Sequence, residues 1–301
     1  MTQRQDEVAF RVTTPDGAAL AVYAFGGPAD APVLLFGHAN GLAAQCYAPW
    51  LGMLAAELRV FAFDARGHGL SFAPKGPLET VFAVDRMADD LVLLTRAVAE
   101  AAGVTRVAWC GHSLGAASAL RLAALGRAPD WSALIAFEPP VFPPPGTRAH
   151  AEAAVKQARL VAGTLKRRTR WASPEALAQR LRGSGLYARY RDDMLTAHCC
   201  AILKPVPDGG FELRCSPAIE SFIFGSHGDA DTWARLGTIA GAVDLIGGDP
   251  ATPENDWVSS ALPEMAAAIP HARLEMLPGA GHLIIAEQPE WCANAVMQRL
   301  R

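Results

Sequence analysis

Short apolar runs recur along this chain, and most of them end in a loop rich in glycine and lead into a helical stretch. The runs that predict strands cover residues 33–36, 60–63, 106–110, 133–137, 239–246 and 273–277. Alternation of buried strands with helices predicts an α/β fold with a mostly parallel sheet that is covered by helices on both faces. Residues 8–13 and 18–25 flank the turn sequence Thr14-Pro15-Asp16-Gly17, which predicts an antiparallel hairpin at the start.

The alternation stops between residues 141 and 232, where a proline-rich stretch is followed by amphipathic or basic helical patterns over 148–171 and 173–182. We therefore expect residues 1–140 and 233–301 to form the α/β core. Residues 141–232 are expected to form an inserted helical cap over the working edge of the sheet. The basic cluster at 166–170 is interpreted as a solvated helix face rather than an anion site.

Composition narrows the classes of function. The formal charge of −3 over 301 residues gives no electrostatic reason to expect nucleic acid as a partner. The first residues lack the apolar segment of a secretory signal, and no apolar stretch reaches the ~20 residues that span a bilayer. The six cysteines follow no metal-binding or disulfide-scaffold spacing. We expect a cytoplasmic protein with no membrane partner and no metal, and the oligomeric state is not predicted.

The sequence Gly111-His112-Ser113-Leu114-Gly115 stands between a predicted strand and an Ala/Leu-rich stretch at 116–125 that predicts a helix. Strand, tight turn and helix are the setting of a nucleophile elbow, in which a strained turn raises a serine hydroxyl above the sheet. The residues two before and two after the serine must be nearly free of side chain, and Gly111 and Gly115 meet that need. We therefore predict that Ser113 is a nucleophile.

A serine hydroxyl needs a base to take its proton and a third group to fix the tautomer of that base. Reactive groups gather beyond the carboxyl ends of parallel strands, which excludes His271 because it precedes its strand. His282 follows the same strand and comes after the nucleophile, in the chain order of an elbow enzyme. We predict His282 as the base.

Asp249 is the predicted acid, because it follows the carboxyl end of the strand at 239–246. Its structural alternative is an Asx-type turn residue before Pro250. Glu138 is a second geometrically sensible acid, although Pro139-Pro140 beside it suggests a rigid exit into the cap. Glu254 and Asp256 are further candidates along the Asp249 loop.

Attack on a carbonyl places negative charge on oxygen, so the site needs hydrogen-bond donors that are already in position. One is expected to be the backbone amide of Leu114, at the start of the helix after the serine. The loop after Phe36 should supply the second donor, and we assign it to Asn40. His38 and His68 are expected to hold loops by hydrogen bonds, and His112 should point away from the site.

Taken together, these motifs resemble the α/β-hydrolase superfamily in its capped, esterase-like branch. The resemblance covers most of residues 8–140 and 233–301. The motifs that carry it are His38-Ala39-Asn40-Gly41, Asp64-x-Arg66-Gly67-His68-Gly69-x-Ser71, the elbow, Gly248-Asp249-Pro250-Ala251-Thr252-Pro253 and Gly281-His282. It implies a Ser113/Asp249/His282 triad, an oxyanion hole from Leu114 and Asn40, and no cofactor.

The resulting hypothesis is a serine hydrolase that cleaves a small-molecule ester, lactone or thioester through an acyl-enzyme on Ser113. A carbon–carbon bond hydrolase and a perhydrolase-like enzyme are the alternatives within the same fold. A ligand-binding, receptor-like protein with slow turnover is the alternative from another class. The acyl substrate itself depends on the cap and is not predicted.

Overall fold

The computed structural model describes residues 7–226, 230–252 and 257–301. The strands are β1 (Phe10–Thr13), β2 (Ala19–Gly26), β3 (Val33–Gly37), β4 (Arg59–Phe63), β5 (Ala108–His112), β6 (Ala133–Phe137), β7 (Arg170–Trp171), β8 (Leu203–Pro205), β9 (Phe211–Leu213), β10 (Val243–Gly247) and β11 (Arg273–Met276). The helices are α1 (Ala48–Leu54), α2 (Leu78–Val81), α3 (Val84–Ala102), α4 (Leu114–Ala124), α5 (Arg148–Leu165), α6 (Pro174–Arg182), α7 (Asp192–Ala201), α8 (Pro217–Ser226), α9 (Ala230–Ala234), α10 (Trp257–Ala268), α11 (Ile284–Glu287) and α12 (Pro289–Leu300).

The large sheet has the strand order β1-β2-β4-β3-β5-β6-β10-β11. Strand β1 pairs antiparallel with β2, and β2 pairs antiparallel with β4. Across the rest of this sheet, in the order β4-β3-β5-β6-β10-β11, every pair of neighbouring strands is parallel. The sheet confirms the predicted fold class, and the pairing of β1 with β2 confirms the predicted hairpin.

The register of the parallel strands brings their carboxyl ends to one level. Gly37 of β3 lies opposite Gly111 of β5, and His112 of β5 lies opposite Phe137 of β6. Phe137 in turn lies opposite Ile246 of β10. The loops that follow these strands therefore leave the sheet side by side, and the residues directly after β5 and β6 are neighbours.

Apolar side chains fill both faces of the sheet, which is why the parallel strands read as continuous hydrophobic runs. On one face, Trp50 and Leu54 of α1 pack with Val296 of α12. On the other face, Leu94 of α3 packs with Leu120 of α4. Within the described ranges, no helix has both the length and the hydropathy needed to cross a membrane.

The described residues of the 141–232 segment run between β6 and β10 and lie outside the large sheet. They contain α5 to α9 and also a three-stranded sheet with the order β7-β9-β8, which the sequence did not predict. The helix predicted to reach residue 171 ends at Leu165. Thr169 and Trp171 are residue types that favour strands, and this stretch pairs with β9 instead of continuing the helix.

Candidate active site

Ser113 occupies the turn between β5 and α4, as the sequence predicts. Its backbone has φ +51° and ψ −109°, an unusual conformation for a residue other than glycine. The Ser113 amide donates to the carbonyl oxygen of Phe137 at 2.9 Å, and the Gly115 amide donates to the carbonyl oxygen of His38 at 3.1 Å. The neighbouring strand ends therefore hold the strained turn in place.

Two glycines make this turn sterically possible. A Cβ atom on Gly111 would lie 2.5 Å from the backbone nitrogen of Ala116, and one on Gly115 would lie 2.3 Å from the carbonyl oxygen of Gly37. Both contacts are with backbone atoms of packed elements, which cannot move away cheaply. The glycine requirement derived from the sequence is thus explained by direct backbone contacts.

His282 lies in the loop between β11 and α11, and its Nε2 atom is 3.1 Å from Oγ of Ser113. Its carbonyl oxygen accepts a hydrogen bond from Nε2 of His112 at 2.8 Å, while Nδ1 of His112 lies 2.7 Å from the hydroxyl of Tyr47. His112 thus points away from Ser113 and holds the backbone of His282. Burial lowers the pKa of His112 to about 3, so this imidazole is neutral at physiological pH.

Glu138 is the carboxylate that contacts His282, with Oε2 3.0 Å from Nδ1 of the imidazole. The other oxygen, Oε1, accepts hydrogen bonds from the amide of Gly248 at 2.6 Å and from the hydroxyl of Ser259. Glu138 is fully buried, and its φ of +49° turns the chain sharply at the end of β6. Three donors therefore fix both carboxylate oxygens.

Asp249 does not take the predicted place of the acid. Its carboxylate accepts hydrogen bonds from the amides of Gly279 at 3.0 Å and Ala251 at 2.8 Å, and these two bonds lower its pKa. The bond to the residue two positions on is the Asx-type turn that the sequence offered as the structural alternative. Asp249 thus ties its own loop to the loop of His282, whereas Nδ1 of His282 faces Glu138.

The position of the strands explains this correction. Glu138 follows β6, which lies between β5 and β10, so its side chain can reach across the ends of β5 and β10. A Cβ atom on Gly247, the last residue of β10, would lie 3.1 Å from Oε1 of Glu138, so this glycine leaves room beside the carboxylate. The two further candidates, Glu254 and Asp256, lie outside the described residues.

The amides proposed to receive an oxyanion are those of Asn40 and Leu114. Within residues 7–226, 230–252 and 257–301, no backbone carbonyl or side chain accepts a hydrogen bond from either amide. The Asn40 side chain is engaged, because Nδ2 donates to the carbonyl oxygen of Glu220 at 2.8 Å. Neither amide is thus engaged by a described residue, and Asn40, Ser113 and His282 line one cavity.

His38 and His68 hold loops together, as the sequence predicts. Nε2 of His38 accepts from the amide of Ala65 at 2.9 Å, and Nε2 of His68 accepts from the amide of Gly41 at 3.1 Å. Burial lowers the pKa of His38 to about 4 and that of His68 to about 3. Both rings are neutral scaffold elements next to the site.

The cavity has a volume of about 570 Å³ and extends from Ser113 towards the 141–232 segment. The large apolar side chains that line it are Leu42, Phe142, Leu160, Leu186, Phe224, Trp257, Val258 and Leu283. A chamber of this size and character suits a small organic molecule. No group of three or more His, Cys, Asp or Glu side chains among the described residues is arranged to hold a metal ion.

A family model described as "Alpha/beta hydrolase family" matches residues 33–295, a range that includes Ser113, Glu138 and His282. Among curated relatives, 3-oxoadipate enol-lactonase 1 of Acinetobacter baylyi is 26% identical over 284 residues. The match covers 93% of this chain and 92% of that protein.

Two solved structures illustrate the likeness in fold. E-2-(acetamidomethylene)succinate hydrolase superposes with a TM-score of 0.75 at 24% identity, over 96% of this chain and 97% of that one. The thioesterase domain from the curacin biosynthetic pathway superposes with a TM-score of 0.70 at 20% identity, over 95% of this chain and 97% of that one.

Proposed function

Because the chain belongs to the α/β-hydrolase family, we propose that this hydrolase works through Ser113 as nucleophile, His282 as general base and Glu138 as the acid that orients the base. The observation that carries the proposal is the pair of contacts made by His282. Nε2 lies 3.1 Å from Oγ of Ser113 and Nδ1 lies 3.0 Å from Oε2 of Glu138. The imidazole thus lies between the serine hydroxyl and the carboxylate, which is the arrangement that an activated serine requires.

The first half of the reaction acylates the enzyme. Oγ of Ser113 attacks the carbonyl carbon of the substrate while Nε2 of His282 takes the hydroxyl proton. The amides of Leu114 and Asn40 donate hydrogen bonds to the oxygen on which negative charge develops, and the dipole at the start of α4 adds to this stabilisation. When the tetrahedral intermediate collapses, the leaving oxygen or sulfur receives the proton from His282.

The second half releases the acid. A water molecule gives a proton to Nε2 of His282 and attacks the acyl carbon, and collapse of the second intermediate returns the proton to Oγ of Ser113. Throughout both halves, the carboxylate of Glu138 accepts the hydrogen bond from Nδ1 and stabilises the imidazolium that forms. Glu138 is buried, and hydrogen bonds from the Gly248 amide and the Ser259 hydroxyl hold its carboxylate in place, which suits a fixed orienting role.

The substrate class that we propose is a small carboxylic ester, lactone or thioester. The relative that matches nearly the whole chain is an enol-lactonase, which supports a lactone or another oxygen ester. The cavity is closed on one side by the 141–232 segment and is largely apolar, which suits a small molecule better than a polymer. We propose that this segment acts as the cap that selects the substrate.

A panel of 4-nitrophenyl esters and small lactones with graded acyl chains tests the proposal. We expect the wild type to hydrolyse at least one member and Ser113→Ala to lower that rate by about 10³-fold or more. Equal rates in the two proteins would refute the mechanism. Cleavage of carbon–carbon bonds without any ester or lactone hydrolysis would reassign the reaction, and stoichiometric binding without turnover would indicate a receptor-like protein.

A further inference from the structure

Arg167 belongs to the basic cluster 166–170 that the sequence analysis interpreted as a solvated helix face. In the structure, its side chain lines the same cavity as Ser113 and His282, and only 24% of its side-chain surface is exposed. Arg168 and Arg170 of the same cluster are exposed. Arg168 lies over the ring of Trp171, with Cζ 4.4 Å from the ring centre, and Arg170 pairs with Asp208 at 2.7 Å. Arg167 is therefore the cluster member that turns inward.

The guanidinium of Arg167 is held in place by one carboxylate and keeps donors in reserve. Nη1 donates to both oxygens of Glu220, at 2.8 and 2.7 Å. Among the described residues, nothing accepts a hydrogen bond from Nε or Nη2 of Arg167. A guanidinium presents its donors in a fixed planar fork that matches a carboxylate. Glu220 thus fixes the direction of Arg167 and leaves further donors for a ligand.

The position of Glu220 links this pair to the oxyanion loop. Its carbonyl oxygen accepts the hydrogen bond from Nδ2 of Asn40 at 2.8 Å. A Cβ atom on Gly41 would lie 2.4 Å from Oε1 of Glu220, so the side chain of Glu220 rests directly on the Asn40-Gly41 backbone. Arg167 is therefore anchored to the loop that is proposed to stabilise the oxyanion.

The charges of the described cavity lining favour an anion. Arg159 on α5 also lines the cavity, and no described carboxylate forms an ion pair with it. The described lining thus carries two guanidinium groups, those of the partly buried Arg167 and the exposed Arg159, and one carboxylate, that of Glu220, and the remaining walls are mostly apolar. Positive side chains in an otherwise apolar cavity offset the free-energy cost of removing a negative group from water. The lining therefore favours an apolar molecule that carries one negative group over a neutral molecule.

We infer that Arg167 determines specificity by binding a carboxylate on the substrate, at a distance from the ester or lactone group that Ser113 attacks. This inference rests on the proposed function, since it assigns a second recognition point within the same site. Glu220 acts as a positioning residue for Arg167. The substrate class is therefore an ester, lactone or thioester that carries a separate carboxylate.

The test compares matched charged and neutral esters. One arm uses the mono-4-nitrophenyl esters of succinate, glutarate, adipate and pimelate against the corresponding 4-nitrophenyl methyl diesters, with the uncatalysed rate subtracted. The other arm places the charge on the leaving side and compares the butyrate ester of 3-hydroxybenzoate with that of its methyl ester. For each pair, kcat and KM are measured with the wild type, Arg167→Met, Arg167→Lys and the neighbouring control Arg168→Met.

We expect the wild type to prefer the charged member of at least one pair in kcat/KM. Arg167→Met should erase that preference by lowering kcat/KM for the charged ester by about 10- to 100-fold, mainly through KM, as for the loss of one charge-assisted contact. Arg167→Lys should restore part of it, and Arg168→Met should retain all of it. Rates on the neutral esters and the rate of fluorophosphonate labelling report whether Ser113 is still assembled in each variant.

The inference is overturned if the wild type shows no preference for a charged ester in either arm. It is also overturned if Arg167→Met and Arg168→Met change the preference equally, or if Arg167→Met lowers charged and neutral rates to the same extent. In each of these cases, Ser113-dependent hydrolysis of the neutral esters would leave the proposed function standing. If the wild type hydrolysed none of the esters, the proposed function itself would be refuted.

Discussion

Nδ1 of His282 lies 3.0 Å from Oε2 of Glu138, which follows β6 directly, whereas Asp249 after β10 is bound to the amides of its own loop and of the loop at Gly279. The proposed acid of the site thus directly follows the strand next to the elbow strand. Gly248 follows β10, the next strand in the sheet, and its backbone amide donates a hydrogen bond to Glu138.

This relationship predicts that Glu138→Gln lowers kcat strongly. An amide at this position presents the wrong group to Nδ1 and disfavours the tautomer in which Nε2 can accept the serine proton, an effect of about 10³- to 10⁴-fold in serine enzymes. The measurement is kcat on the best ester of the panel, with thermal unfolding followed in parallel to confirm that the variant folds.

Asp249→Asn is the matched control for this change. The asparagine oxygen can keep one of the two amide hydrogen bonds, so we expect kcat to stay within a few-fold of the wild type and the free energy of unfolding to fall by about 1 kcal/mol or less. A severe loss of kcat in Asp249→Asn together with a mild effect of Glu138→Gln would return the acid role to Asp249.

Gly115→Ala is predicted to disrupt the elbow. The added Cβ would lie 2.3 Å from the carbonyl oxygen of Gly37, so α4 or β3 would have to move. We expect a loss of roughly 3 kcal/mol or more in the free energy of unfolding, as for other severe overpacking. Gly163→Ala is the control, because a Cβ there meets nothing within 4 Å and should stabilise α5 by about 0.5–1 kcal/mol. Chemical denaturation of both variants measures the difference, and equal effects would contradict the steric account.

Four buried histidines predict that the protein loses stability in mild acid. Burial is the main cause that lowers the pKa of His38 to about 4 and the pKa values of His68, His112 and His198 to about 3. The unfolded chain, with histidine pKa values near 6.5, then binds more protons than the folded chain, so stability falls as the pH falls through 6.5. Each group contributes about 1.4 kcal/mol between pH 7.5 and 5.5, so the four together contribute about 5.5 kcal/mol. Denaturant titrations at several pH values measure this loss.

His198 offers a variant that isolates one of these contributions. Its two ring nitrogens have no hydrogen-bond partner among the described residues, and its ring packs against those of Tyr187 and Tyr190 with centres 5.4 and 5.7 Å away. His198→Phe should therefore keep or raise stability at pH 7.5 and reduce the loss at pH 5.5 by about 1.4 kcal/mol. An unchanged pH dependence in this variant would show that His198 is not buried in its neutral form.

Ser113 and His282 could be proposed as partners from the sequence, and their side chains do meet in the structure, because their positions depend on local rules. A glycine-flanked serine between a strand and a helix, and a histidine just after the carboxyl end of a strand, can be identified without knowledge of the sheet order. Glu138 depends on that order, since β6 must lie between β5 and β10 for its carboxylate to reach His282. Glu138 was the second candidate from the sequence, and it ranked behind Asp249 because the sequence alone does not give the order of the strands in the sheet.

The 141–232 segment was harder to predict for a different reason. Its strands β7, β8 and β9 have only two or three residues each, too few for a two-residue alternation to be visible. The direction of Arg167 likewise depends on Glu220, which is far away in the sequence and comes close only through the packing of α5 and α8. Hydrophobic periodicity carries no information on such a pairing.

The central claim is that Ser113 is a nucleophile activated by His282, and covalent labelling by a fluorophosphonate tests it most directly. Intact-protein mass spectrometry with peptide mapping should find one adduct, on Ser113, in the wild type. Ser113→Ala should give none, and His282→Ala should label at least about 100-fold more slowly, since removal of the base leaves a weak nucleophile. An unlabelled wild type, or the same adduct in Ser113→Ala, would contradict the account.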